Sequence, residues 1–369
     1  MWLTTIQMPS LLKIPFYVKV ACISICLLAF TFTLYKGQQI IVPLIYATLI
    51  AILLNPLVNW LIRKKMNKTL AITVAVLLAS LAIVLIMLVI STQISMLSDA
   101  FPGLMEKIDN KGQALSGWLA KTFKTQPERI NQWVTNTKQK AIDGFEIGAT
   151  LSGVGRVFML GFLLPVYVFM ILYYKPLFLE FIRKLFRLEH HAAVVEILTK
   201  SKSIIQNYLV GLFFEMLIMA VLNSAGLLIL GIDYAIILGI TGALLNIIPY
   251  IGGVIAIALP MTIAFVTKDS LLYPGLVLVI YIFTQFIDNH YISPRIVASR
   301  VKINALISII AVLIGGALWG VPGMFLSIPL IAIIKVICDH IEPLKPWGFL
   351  LGNIVPTKST FSFVKPLKK

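Results

Sequence analysis

Glu215 is the one carboxylate inside the apolar run 204–230. It lies about 11 residues from Ile204, or roughly 16 Å at a rise of 1.5 Å per residue, near the middle of a bilayer. Ionisable side chains at such depth are costly, and those that persist carry protons or cations, or bond to a neighbouring helix. Coupling to a proton or sodium ion and a plain helix contact are both open for Glu215. Asn223 and Ser224 follow two turns later, where polar side chains commonly join membrane helices. A second acid, Asp288, stands with Arg295 just beyond the apolar run 271–287. That pair reads either as a gate at one membrane face or as a solvated loop pair.

Other residue types that could do chemistry lack the company it needs. Cys22 and Cys26 share a helix face at i, i+4, but no His, Asp or Glu stands near them to complete a metal site. They and Cys338 read as small apolar residues. His190 and His191 lie in a basic link without metal-ligand spacing. The chain has no Gly-x-x-x-x-Gly-Lys-Ser/Thr phosphate loop, no Gly-x-Ser-x-Gly elbow and no His-Glu-x-x-His motif. An enzyme, a metal and a cofactor are therefore not expected.

The elements that must position Glu215 follow from composition. Of 369 residues, 59% are hydrophobic and 12% charged. Soluble domains carry roughly 45–50% apolar and about 25% charged residues. With a mean hydropathy of +0.95, no water-facing surface can be built, which leaves an all-α polytopic membrane protein with the lipid bilayer as its solvent. The net charge of +16 could suggest nucleic acid. The charges lie between membrane-length runs, however, so no nucleic-acid partner is expected.

Five runs are long enough to cross the bilayer as helices: 18–35, 39–62, 69–97, 150–174 and 204–230. A sixth, shorter span covers 271–287. Basic links alternate with poor ones. Arg63, Lys64, Lys65 and Lys68 form the first, 175–203 the second and 288–302 the third, and the tail ends in Lys365, Lys368 and Lys369. All fall on one side if both termini are cytoplasmic. The organisation is then a three-span region 1–98, an outer-face insert 99–149 of two amphipathic helices, a fourth span with its cytoplasmic link 150–203, a core 204–342 and a basic tail 343–369.

Within the core, two apolar segments are broken by Gly and Pro. In 234–267 the break runs from Asn246 through Pro249, Tyr250, Gly252 and Gly253; in 304–338 it holds Gly315, Gly316, Gly320, Pro322 and Gly323, with Ser327 on the return arm. Asp233 and Asn304 are suited to cap the two first arms. Those arms, about 20 and 22 Å long, favour re-entrant hairpins over kinked complete spans. Broken backbone at membrane depth is tolerated only inside protein or beside a wet cavity. Paired broken segments are also the best sequence pointer to a carrier's binding site. Asn246, Thr241 and Thr262 in the first, and Ser308 and Ser327 in the second, could bond a small polar solute. One hairpin enters from each face, the pattern of an inverted repeat.

The run Asn246 to Gly253 also resembles the signature of the autoinducer-2 exporter (PerM-like permease) family. Ser293-Pro294-Arg295, Gly315 to Gly320, Pro322-Gly323-Met324 and Ile328-Pro329-Leu330 are similar to its closing pattern. The chain departs where a proline is usual, at Asn304-Ala305, and Asp288-Asn289 stands where the acid is often Glu. The resemblance implies a homo-oligomeric carrier of the bacterial inner membrane, whose hairpins form the substrate region and move in an elevator-like manner. It implies export of an autoinducer-2-like solute or, alternatively, sodium(lithium)/proton exchange. A non-transporting membrane scaffold is the rival from another class.

Overall fold

A computed structural model of the chain describes residues 15–86, 88, 91, 151–248, 252–270, 272–298 and 301–353. The expected insert 99–149 lies outside them, as do Pro249 and Tyr250. The described residues are helical throughout, apart from short connections and one isolated bridge between Ile303 and Gly352. Among the described residues, seven helices are long and apolar enough to cross a membrane.

Helices α1 (Phe16–Lys36) and α2 (Gln38–Arg63) are joined at Gly37. Helix α3 covers Lys68–Ile86 and α4 covers Leu151–Leu185. Pro43 and Pro56 lie within α2, and Pro165 and Pro176 within α4. A proline inside a helix removes a hydrogen bond, which membrane helices tolerate because neighbours satisfy the freed carbonyls. In the turn before Pro176, Lys68 Nζ donates to the Tyr173 carbonyl at 2.8 Å and so ties α3 to α4.

Helix α5 (His191–Ile229) has 39 residues, about 58 Å at 1.5 Å per residue and nearly twice the hydrocarbon thickness. Its first turns, with Glu196, Lys200 and Lys202, extend past the apolar stretch. The first hairpin follows as α6 (Ala235–Asn246) and α7 (Gly252–Thr267). Asp233 does not cap α6: the helix starts after Tyr234 in the left-handed region (φ 61), without a side-chain cap bond. The turn begins at Gly231 (φ 64) and draws Ile232 into the core, which leaves Asp233 exposed.

Helix α8 (Leu272–Ile287) continues into π-helical turns at Asp288–Ile292 and Pro294–Ala298. Helix α9 runs over Ala305–His340 but is broken at Gly320, whose φ of 64 and ψ of −147 are open to glycine and strained for other residues. Gly315 and Gly323 lie so close that a Cβ on either would strike the other's backbone. In a straight helix they would be about 12 Å apart, so the arms fold back on each other as a hairpin. Asn304 caps the first arm as expected, its side chain accepting from the Ile307 N–H at 2.9 Å. The short helix α10 (Lys345–Leu351) closes the described chain.

Both segments are re-entrant. The ends of the second meet, since Asn304 Nδ2 donates to the Leu350 and Gly352 carbonyls at 2.7 and 3.1 Å. At the first, Lys268 reaches Gly231 across the hairpin's base. The bases lie at opposite ends of α5, the first beyond Ile229 and the second beside its start, where His340 and Lys200 contact Glu196. Contacts between Lys68 and Tyr173, Lys200 and His340, and Ile303 and Gly352 gather the basic links at one end.

Candidate functional site

Asp288 is the first residue of the π-helical turn after α8, and it is buried there at 2% exposure. It is not a solvated loop residue. Asn246, at the end of α6, donates its Nδ2 to Asp288 Oδ2 at 3.0 Å, and Gln285 donates its Nε2 to the same oxygen at 3.3 Å. Asp288 Oδ1 has no hydrogen-bond partner among the described residues. Glu215, 8% exposed, lies beside Asp288 and Ser293 on the same wall. Two carboxylates side by side in an apolar setting repel. A proton shared between the two would remove that repulsion.

This cluster lines a cavity of about 780 Å³, within the range of small-molecule sites. Its polar lining includes Glu215, Asn246, Gln285, Asp288, Asn289, His290, Ser293, Lys302 and Ser308; its apolar lining includes Leu212, Ile257 and Ile328. Gly253 makes the polar side possible. A Cβ there would stand 2.8 Å from Gln285 Oε1, so a larger residue would displace the Gln285 amide, while Asn246 Oδ1 at 3.5 Å stays in ordinary contact.

Of the residues singled out from sequence, the structure brings together Glu215, Asn246, Gly253, Asp288 and Ser308. Gly252 lies against the Leu245 backbone and shapes the turn. Arg295 is exposed on the π-helical segment. Asn223 and Ser224 join helices: Thr284 donates to Asn223 Oδ1 at 3.0 Å, and Ser224 donates to the Ile236 carbonyl at 3.3 Å. Thr262 bonds within its own helix.

The second tip is elsewhere. Trp319 Nε1 donates to the Leu34 carbonyl at 3.0 Å, Tyr46 donates to the Pro322 carbonyl at 3.2 Å, and Tyr46 stacks on Phe325. Gly315, Gly316, Gly323 and Ser327 pack arm on arm, Pro322 bonds to Tyr46 of α2, and Gly320 is exposed at the tip, all apart from the cavity. Ser327 gives its hydroxyl to the Gly323 carbonyl at 2.7 Å. What meets the first tip is the shaft of the second hairpin, where Ile247 packs with Val312 and Ile328. Gln285 and Ser293 belong to the site without having been picked from sequence. Gln285 precedes Asp288 by three residues, a same-face spacing that could have marked it. Ser293 faces Glu215 only because the helix widens to π.

Comparison with known proteins agrees with this architecture. "Putative transport protein YueF" of Bacillus subtilis is 24% identical over 254 residues, covering 67% of this chain and 68% of that protein. "Putative transport protein YrrI" of the same organism is 34% identical over 139 residues, 36% of this chain and 37% of YrrI, so the match spans about a third of that relative. "Putative permease PerM" of Escherichia coli is 23% identical over 189 residues, 51% of this chain and 53% of PerM. The AI-2E family transporter model matches residues 24–342, which takes in both hairpins and every residue of the cavity. The chain belongs to the AI-2E transporter family.

Proposed function

We propose that this transporter is a secondary carrier exporting a small polar organic solute, similar to autoinducer-2, by elevator-like movement of its two hairpins. The observation that carries the reading is the cavity itself. It is large enough for a small molecule, has hydrogen-bonding side chains on one wall, and lies where the first hairpin's tip meets the second hairpin's shaft. Short helices ending at such a cavity offer free backbone groups to a polar ligand. The reading places the chain in the bacterial inner membrane as a homo-oligomer. Both termini are cytoplasmic, in keeping with basic links gathered at one end.

Sodium(lithium)/proton exchange is the second reading, favoured by the Glu215–Asp288 contact. The test is flux through the purified protein in vesicles, across a panel of small polar solutes and with imposed proton or sodium gradients. Solute movement that depends on the protein supports the first reading. Cation-dependent pH changes without solute movement support the second. No protein-dependent flux of either kind, in vesicles shown to hold folded protein, rejects both and leaves a scaffold.

A further inference from the structure

At the end of the molecule where the basic links gather, three lysines from three elements converge. Lys175, in α4, donates its Nζ to Asn55 Oδ1 of α2 at 2.8 Å. Lys68, opening α3, and Lys202, on the extended part of α5, both lie within electrostatic reach of Lys175. No carboxylate acts on Lys175 among the described residues; the charges felt there are those of the two other lysines. The cluster is thus rich in donors and has a surplus of positive charge. Asn55 is 5% exposed, so the Lys175 ammonium is anchored on a buried amide oxygen, which holds it at this place beside the other two lysines.

The surroundings indicate depth. Trp60, Tyr173 and Tyr174 are half-exposed around the cluster, and Lys64 and Lys68 sit over the rings of Trp60 and Tyr173 at 5.8 and 5.0 Å. Exposed Trp and Tyr rings beside lysines mark the headgroup level of a membrane. Basic pockets between membrane helices at that level bind anionic headgroups.

We propose that Asn55, Lys68, Lys175 and Lys202 form a binding site for a phosphate group, supplied in the membrane by an anionic phospholipid. The phosphate relieves the repulsion among the three ammonium groups, and Asn55 holds the Lys175 ammonium in place for it. The site lies apart from the solute cavity, with which it shares no residue, and ties α2, α3, α4 and α5 together at one membrane face.

The test uses the full-length protein in a neutral detergent and reads its unfolding temperature. Short-chain phosphatidylglycerol, short-chain phosphatidylcholine and inorganic phosphate are added separately. Phosphatidylglycerol is expected to raise the midpoint by several degrees and phosphatidylcholine to leave it unchanged. The increment should largely disappear in Lys202→Gln, an exposed position that the fold does not need, and in Lys175→Gln. An equal rise with inorganic phosphate keeps the site but assigns it to a soluble phosphate. Equal effects of the two lipids, or an increment that Lys202→Gln and Lys175→Gln both retain, overturn the proposal. If Lys175→Gln does not fold, Lys202→Gln and Lys68→Gln carry the decision.

Discussion

The carboxyl group of Glu215 has two neighbours of different kinds on the cavity wall, the acid Asp288 and the hydroxyl-bearing Ser293. Removing its charge while keeping its shape separates coupling from packing. Under the proposed function, Glu215→Gln keeps the side chain's shape beside Ser293 but loses the exchangeable proton or cation. We expect proton-dependent flux to fall about tenfold or more, since bonds to charged groups contribute about 1.5–3 kcal/mol, while the unfolding temperature stays near that of the parent. Flux measured across a pH series checks this; an unchanged pH dependence in the variant means that Glu215 is a helix contact. Asp288 was visible in sequence as a gate candidate, but its burial was not. Its two amide donors come from different elements, and only their meeting makes the inward orientation favourable.

The two hairpins are alike in pattern and unlike in surroundings. The first tip ends beside the cavity, and the second is held by Trp319 and Tyr46 against the N-terminal helices. An elevator-like stroke that carries the second hairpin must break the bond from Trp319 to the Leu34 carbonyl. We therefore expect that joining the positions of L34C and W319C with a short thiol-reactive linker, after replacing Cys22, Cys26 and Cys338, reduces flux to background and that reversing the linkage restores it. Full flux in the cross-linked protein, with linkage verified by mass, would show the second tip to be fixed scaffold. The breaks themselves were legible in sequence because Pro and Gly act locally on the helix. The docking of the second tip was not, because Trp319 reads equally well as a lipid-facing residue until α1 is beside it.

At the scale of the whole molecule, charge and re-entrance predict sidedness. The links at 63–68 and 175–203 share one end with the base of the second hairpin, and the base of the first hairpin lies at the other. Single cysteines at Lys64 and Ser270, each in the same cysteine-free background, should react with a membrane-impermeant maleimide from opposite sides. In right-side-out vesicles we expect labelling at position 270 and protection at position 64, with the reverse in inverted vesicles. Labelling of both from one side would contradict hairpins that return to their face of entry.

Terms that act within a few residues were determined by the sequence: the apolar runs, their interruption at Pro and Gly, the Asn304 cap and the alternation of basic links. Each rests on a local free energy, namely transfer of a helix into lipid, loss of one backbone bond, gain of one cap bond or the position of a charge along the chain. Even here a local rule failed at Asp233, where burial of Ile232 set the turn. Only the tertiary structure decided that Asp288 faces Glu215, that Asn246 and Gln285 hold it there, and that the second tip leans on α1 and α2. Those contacts join residues far apart in the chain, and they depend on which helix faces meet. Hydropathy that is nearly uniform around a membrane helix cannot specify that meeting; close approach of glycines and pairing of the few buried polar groups do.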